Sequence, residues 1–278
     1  MESRQGIQAE EIRRKFPPDW EVPEFRIDFW DGKTRNYCVV VPVINEGDRI
    51  RQFVQRMNDA KTSDTSDIII VDGGSVDGSL NANHLRSKGI RGVVTKTGPG
   101  KLSSQLRVAY AFALVLGYKY IVSIDGNNKD DPSEISSVYE KLADGFDFIQ
   151  ASRFIRGGRA VNTPLVRYLA IRLIHAPVSS LAARYRWTDT TQGFRGYSSS
   201  MLLSPKIKPF RALFKTYELL AYLSVMAPRA GYKCAEVPST RIYPPNEVPT
   251  KITAIGGSLE LMAILIKASL GLYDPARG

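Results

Sequence analysis

The chain has 278 residues, of which 43% are hydrophobic, and its formal net charge is +10 at pH 7. This composition fits a globular protein with one large α/β domain, or one domain with an appendage, and the charge indicates an anionic partner: nucleic acid, a phosphorylated substrate or an acidic membrane surface. Only two cysteines and two histidines are present, which excludes a disulfide framework and a zinc cluster and favours a reducing, cytosolic setting.

Residues 1–36 mix charges and prolines with scattered aromatic residues, Trp20, Phe25, Phe29 and Trp30. The first 15 residues contain no apolar core of the kind found in a signal peptide, so they predict neither a leader nor a membrane anchor. We expect residues 1–36 to form an extended arm that docks by its rings.

From Tyr37 onward, apolar runs alternate with amphipathic segments. Strands are predicted at residues 37–42, 67–72 and 91–95, and helices are predicted from Asn45 and over residues 102–116. This alternation is the pattern of a parallel sheet covered by helices on both faces.

The next predicted strand, residues 119–124, is followed by Asp125, Gly126 and Asn127. In an open α/β sheet the ligand crevice lies outside the carboxyl ends of the strands, so Asp125 is expected to face a ligand. The tripeptide is similar to the Asp-x-Asp signature of glycosyltransferases that use nucleotide sugars, in which carboxylates hold a divalent cation against the diphosphate.

A basic stretch follows the predicted helix at residues 133–143 and the predicted strand at residues 147–151. No acidic residue occurs from Phe148 to Thr188, and apolar residues at helical spacing are interleaved with seven arginines: Arg153, Arg156, Arg159, Arg167, Arg172, Arg184 and Arg186. This pattern predicts a helix that lies on anionic headgroups or binds phosphates through its guanidinium groups.

The remainder of the chain is predicted to contain a polar segment at residues 187–197, a helix at about residues 216–229, a short strand at residues 234–237 and a Pro-rich loop. Residues 252–273 form a long apolar segment that carries Glu260 and Lys267, which favours an amphipathic helix packed on the domain or on a bilayer over a spanning helix. The predicted division is an N-terminal arm (1–36), a catalytic domain (37–251) and a C-terminal amphipathic helix (252–278).

Five stretches, taken in order, resemble the dolichyl-phosphate mannosyltransferase branch of the family 2 glycosyltransferases: residues 39–46, 70–78, 124–127, 152–154 and 188–195. The resemblance implies a GT-A fold, a Rossmann-like and mostly parallel sheet flanked by helices. It also implies inverting transfer of a sugar from a GDP- or UDP-linked donor to a polyprenyl phosphate, by a protein peripheral to the cytosolic face of the inner membrane.

The resemblance assigns residues to each substrate. Donor-binding residues are Pro42, Asn45, Glu46, Asp72, Gly74, Lys101, Asp125, Gly126, Asn127 and Lys251. Acceptor-binding residues are Arg153, Arg167 and Arg195, and the catalytic residues are Asp125, Asp189 and Arg241. A phosphate acceptor is already an anion and needs no general base, whereas a hydroxyl acceptor would need a carboxylate such as Asp189 or Asp125.

The expected cofactor is Mg²⁺ or Mn²⁺, held by Asp125 and Asn127. Because Asn127 supplies a neutral oxygen and Lys129 adds a positive charge, we expect the metal to bind weakly until the nucleotide sugar arrives. Two other functions stay open: transfer to a polysaccharide or soluble hydroxyl acceptor, and a non-catalytic subunit that binds nucleotide sugars. Nucleic-acid binding is not expected, since no motif supports it.

Overall fold

The computed structural model describes residues 4–245 and 256–275. Its strands are β1 (Phe25–Trp30), β2 (Tyr37–Val43), β3 (Ser66–Asp72), β4 (Ile90–Lys96), β5 (Tyr120–Ser123), β6 (Phe148–Ser152), β7 (Arg159–Val161), β8 (Arg195–Ser198), β9 (Cys234–Pro238) and β10 (Thr240–Ile242). Its α-helices are α1 (Arg4–Arg13), α2 (Asp48–Asp59), α3 (Thr62–Thr65), α4 (Ala82–Ser87), α5 (Leu102–Val115), α6 (Ile135–Ala143), α7 (Leu165–Ala170), α8 (Ala176–Ala183), α9 (Ser199–Leu202), α10 (Glu218–Arg229) and α11 (Gly256–Ser269).

An eight-stranded sheet forms the centre of the molecule, in the order β1-β4-β3-β2-β5-β8-β6-β9. Strands β4, β3, β2 and β5 are parallel, β6 is parallel to β9, and β1 and β8 run antiparallel to their neighbours. Every residue of β3 is buried, as expected for a strand with helices over both faces. The predicted mostly parallel sheet flanked by helices is confirmed.

Two apolar cores cover the two faces of this sheet. Cys38 and Val40 of β2 face the core that contains α5 and α10, whereas Val39 and Val41 face the core that contains α2 and α6. Neighbouring residues of a strand point to opposite faces, so the apolar run of β2 supplies both cores.

The prediction of an extended arm at residues 1–36 is wrong. Residues 4–13 form α1, and residues 25–30 form β1, which pairs with β4 at the edge of the sheet. The rings of this segment pack on the domain: Trp20 stacks on Phe210 with ring centroids 3.9 Å apart, and Trp30 meets Phe112 edge to face. The segment therefore completes the sheet and one of its cores.

The basic stretch forms α7, a π-helical turn at Ile171–His175 and α8. The side chains of Leu165, Val166 and Leu173 are each at least two-thirds exposed. Helix α11 packs against α8 and α10, and its outer side exposes Leu259 and Ile266. Within the described ranges, no helix has both the length and the apolar character needed to span a bilayer.

Candidate active site

The loops after β2 and β3 are joined at the carboxyl edge of the sheet. The Asn45 backbone N–H donates to Ser75 Oγ, and the Val76 N–H donates to Asn45 Oδ1, each at 2.9 Å. The Asp72 carboxylate is buried and accepts from the backbone N–H and the hydroxyl of Ser75. Asp72 thus shapes this loop, and its predicted contact with a base or ribose stays a prediction.

A cleft of about 660 Å³ opens between the loop after β2 and the loop after β5, and Asn45, Glu46 and Asn127 all line it. Its size falls within the range of about 300–1,000 Å³ that small-molecule sites occupy. The structure therefore brings three of the predicted donor-binding residues to one cavity.

Asp125 follows β5 on a tightly packed backbone. The Gly126 N–H donates to the carbonyl oxygen of Pro42 at 3.2 Å, and a Cβ added at Gly126 would lie 2.7 Å from Val43. A Cβ at Gly193 would lie 2.3 Å from Asp125 Oδ1. Glycine at both positions thus lets the carboxylate of Asp125 sit at the sheet edge, where its side chain is 22% exposed.

Arg241 joins two acidic residues of the loop after β5. Its Nη2 lies 3.4 Å from Asp125 Oδ2, and its Nη1 donates to Asp130, whose side chain is fully buried. Burial lowers the pKa of Arg241, but the charges of Asp130 and Asp125 outweigh this effect and raise it. Arg241 therefore stays a cation beside the predicted diphosphate site.

Tyr243 lies among basic side chains. Lys129 Nζ lies 5.2 Å from the centroid of the ring, and the guanidinium carbons of Arg167 and Arg241 lie at 5.7 and 5.8 Å. Burial raises the pKa of the Tyr243 hydroxyl, yet Arg241, Arg167 and Arg153 outweigh burial and lower it. The arginine charges therefore favour negative charge at the Tyr243 hydroxyl.

Arg153 and Asp189 form a buried bidentate pair, with Nε to Oδ2 at 2.7 Å and Nη2 to Oδ1 at 3.2 Å. Thr191 donates to the same carboxylate, and Glu236 accepts the backbone N–H of Asp189. The carboxylate of Asp189 is fully buried and held by Arg153, and the catalytic role predicted for Asp189 stays a prediction.

Arg195 is held inside the fold, and the acceptor-binding role predicted for it stays a prediction. The residue is 0% exposed, and its three guanidinium nitrogens donate to the backbone carbonyl oxygens of Gln192, Leu220 and Thr190. Lys101 is exposed at the start of α5, and Lys251 lies outside the described residues.

Residues 38–204 match the sequence profile of Glycosyl transferase family 2. The chain belongs to glycosyl transferase family 2. It is 26% identical over 251 residues to the polyprenol monophosphomannose synthase of Mycolicibacterium smegmatis, covering 88% of this chain and 91% of that protein. It is 29% identical over 132 residues to the dolichol-phosphate mannosyltransferase of Pyrococcus furiosus, covering 47% of this chain and 37% of that protein.

Solved structures of glucosyl-3-phosphoglycerate synthase from Mycobacterium tuberculosis share the fold of this family 2 glycosyltransferase. One has a TM-score of 0.62 at 16% identity and covers 90% of this chain and 87% of that chain. Another, in complex with Mn²⁺, UDP and phosphoglyceric acid, has a TM-score of 0.56 at 20% identity and covers 88% and 81% of the two chains. The predicted GT-A fold, the family and the enzyme class are confirmed.

The residues predicted to bind the metal provide only part of a ligand set in this glycosyltransferase. Asp125 supplies one carboxylate, which also faces Arg241, while Asn127 directs Nδ2 toward Asp125 and accepts the Lys129 N–H through Oδ1. No group of three His, Cys, Asp or Glu side chains within residues 4–245 and 256–275 is arranged to hold a metal. Asp125 and Asn127 would hold a divalent cation together with water molecules and oxygens of a donor diphosphate.

Sequence reasoning did not assign roles to Asp130 and Tyr243, although both lie close to predicted residues. Asp130 is five residues after Asp125, and Tyr243 is two residues after Arg241. For Tyr243 the available signal was its spacing of two residues from Arg241, because residues two apart in an extended chain point to the same side.

Proposed function

We propose that this glycosyltransferase moves a hexose from a nucleotide sugar to a polyprenyl phosphate, with inversion, at the cytosolic face of a membrane. One observation carries the proposal: α7 supplies Arg167 to the cationic cluster around Tyr243, and it also exposes Leu165 and Val166. A phosphate with a long apolar tail needs a cation beside an apolar surface. The names of the relatives from M. smegmatis and P. furiosus support this acceptor class.

The reaction requires little proton transfer on the acceptor side. The phosphate oxygen is the nucleophile, and Arg167 together with the Arg153 guanidinium would orient it toward the anomeric carbon. The leaving diphosphate gains negative charge as the glycosidic bond breaks, and Arg241 and Lys129 would stabilise it from the side of Asp125. No residue has to act as a general base, in agreement with the buried ion pair of Asp189.

The donor would occupy the cleft between the loop after β2 and the loop after β5. Asn45 and Glu46 would contact the nucleoside, and Asp125 with Asn127 would hold a Mg²⁺ or Mn²⁺ ion together with the diphosphate oxygens. Such an ion would neutralise charge on the leaving group. We infer that the ion enters with the donor, because one carboxylate alone binds it weakly.

The test is the release of nucleoside diphosphate from a panel of UDP- and GDP-hexoses, measured with no acceptor, with polyprenyl phosphate in vesicles, and with 3-phosphoglycerate as a soluble acceptor. We expect release that depends on polyprenyl phosphate. Release that depends only on 3-phosphoglycerate would show that the acceptor is a soluble molecule and not the lipid. Donor binding without release under any condition would identify a non-catalytic binding subunit and refute the proposal.

A further inference from the structure

Three basic side chains lie over the ring of Tyr243, those of Lys129, Arg167 and Arg241. Arg241 is paired with Asp130 and Asp125, and Arg153 with Asp189. Arg167 forms no ion pair with any residue in the described part of the chain, and burial lowers its pKa, as does the nearby Arg241. Like charges this close repel each other, and the charge of Asp189 offsets part of this effect. A further attraction to the guanidinium group would help to hold Arg167 beside Arg241.

The ring of Tyr243 is placed to do this. An aromatic ring carries negative potential over its face, and it attracts cations within about 6 Å of its centroid. The ring is 2% exposed, so water screens this attraction weakly. The backbone of Tyr243 is fixed on both sides: its N–H donates to the Val161 carbonyl at 3.1 Å, and its carbonyl accepts from Asn162 Nδ2 at 3.2 Å.

A second feature of the cluster points to an anionic ligand. Arg153 Nη1 is buried and has no hydrogen-bond partner among the described residues, although the other two guanidinium nitrogens of Arg153 are satisfied by Asp189 and Thr191. A buried N–H without a partner is costly, and a phosphate oxygen is a suitable acceptor for it.

We propose that Tyr243 is a positioning residue whose ring holds Lys129, Arg167 and Arg241 together as one phosphate-binding cluster. The proposal rests on the proposed function, in which this cluster receives the acceptor phosphate beside the donor diphosphate. The hydroxyl group of Tyr243 interacts with Arg241, whereas the ring lies beside all three cations, and the proposal assigns the positioning to the face of the ring. Replacing the ring by an aliphatic side chain of similar bulk therefore loosens the cluster, whereas phenylalanine preserves it.

The probe for this role is inorganic pyrophosphate, whose binding to the full chain in chelator is measured by calorimetry. Tyr243→Phe is expected to bind pyrophosphate within about twofold of wild type, and Tyr243→Leu about tenfold more weakly, the loss expected for a desolvated cation–π contact. The matched control is Phe29→Leu, which removes a ring located 4.0 Å from the Arg86 guanidinium near the far edge of the sheet. This control is expected to leave pyrophosphate affinity unchanged.

Because Tyr243→Leu could also unfold the protein, a second series replaces Tyr243 by phenylalanines with one, two and three ring fluorines. Fluorination withdraws charge from the face of the ring while nearly preserving its shape, so pyrophosphate affinity should fall stepwise. Equal affinities across the series, or wild-type affinity in folded Tyr243→Leu, would overturn the proposal. So would Tyr243→Phe binding as weakly as Tyr243→Leu. Pyrophosphate binding needs no sugar transfer, so this result stands apart from the test of the proposed function.

Discussion

Arg195 shows at the scale of one residue how a motif arginine can stabilise the fold instead of binding substrate. Its guanidinium group donates to three backbone carbonyl oxygens, on Thr190, Gln192 and Leu220. Arg195→Met leaves these acceptors unpaired, so we expect a loss of about 3 kcal/mol in the free energy of unfolding. Urea denaturation measures this loss. In the protein that remains folded, the KM for the acceptor should stay unchanged.

The control for Arg195 is Arg26→Met, because Arg26 is an exposed arginine whose ion pair with Asp28 contributes little to stability. Its unfolding midpoint should match that of the wild type. A stable Arg195→Met variant with a raised acceptor KM would support the acceptor-binding role that the sequence predicted for Arg195.

Asn127 determines how strongly the loop after β5 binds metal by itself. Asn127→Asp adds a second carboxylate beside Asp125, so we expect donor-free protein to bind Mn²⁺ more tightly than wild type, as measured by calorimetry with the metal alone. Asn128→Asp is the matched control: it adds the same charge one residue further on, where the Asn128 side chain faces Gln52 and Arg56. Tight Mn²⁺ binding by the donor-free wild type would contradict this account.

Strand β10 carries Arg241, and Glu134 holds it in place. Both carboxylate oxygens of Glu134 accept the N–H of Thr240, at 2.9 and 3.0 Å. Burial raises the pKa of Glu134 from 4.5 to about 7, although the bonds from Thr240 oppose the shift. The folded state thus binds a proton that the unfolded state releases, so the contribution of Glu134 to stability decreases as pH rises from about 4.5 to about 7.

Glu134→Gln removes this titration and keeps an acceptor for Thr240. We expect the unfolding midpoint in urea to depend less on pH between 4.5 and 7 than in the wild type. Glu140→Gln, at an exposed position of α6, should follow the wild-type profile. Identical profiles for Glu134→Gln and the wild type would show that burial of Glu134 is not coupled to folding.

Helix α7 and the π-helical turn expose the apolar residues that we assign to the membrane. Val166 and Leu173 are 82% and 69% exposed, and Val166→Asp combined with Leu173→Asp should weaken flotation with anionic vesicles. Leu203→Asp is the control. Leu203 follows α9, whose first residue, Ser199, donates its backbone N–H to the Lys119 carbonyl oxygen at the end of the sheet where β5 begins. Wild-type binding should weaken with salt. Flotation that ignores lipid charge, or survives the double substitution, would contradict the assignment.

The elements that were predicted well are those whose pattern is local. Periodicity alone predicts the apolar strands β2 and β3 and the amphipathic helix α2. A strand buried on both faces is apolar throughout, and a helix buried on one face has apolar residues at helical spacing. Strand β8 was missed because it contains Arg195 and Gly196. Its position depends on α6, since a Cβ at Gly196 would lie 2.3 Å from Val138. Such packing between distant segments leaves no local pattern.

Across the whole molecule, the sheet brings residues predicted to bind donor and acceptor to one edge. The ends of β2, β3 and β5 supply the cleft, and β10 and α7 supply the cations that surround Tyr243. The sequence predicted Asp125, Asn45 and Glu46 at this edge because they follow strands directly. It could not predict the ion pair between Asp189 and Arg153, because this pair depends on how two loops 36 residues apart pack together.

The most direct test of the central claim is the identity of the product. The protein is incubated with UDP- and GDP-hexoses and polyprenyl phosphate in vesicles, and the lipids are analysed by mass spectrometry and by NMR of the anomeric carbon. We predict a polyprenyl phosphate that carries one hexose with the anomeric configuration inverted. Asp125→Ala should lower the rate of transfer about 100-fold or more. The control Asp144→Ala, which removes an exposed carboxylate after α6, should react as fast as the wild type. Polyprenyl phosphate that carries no sugar after the incubation would contradict the account. So would a rate of transfer by Asp125→Ala equal to that of the wild type.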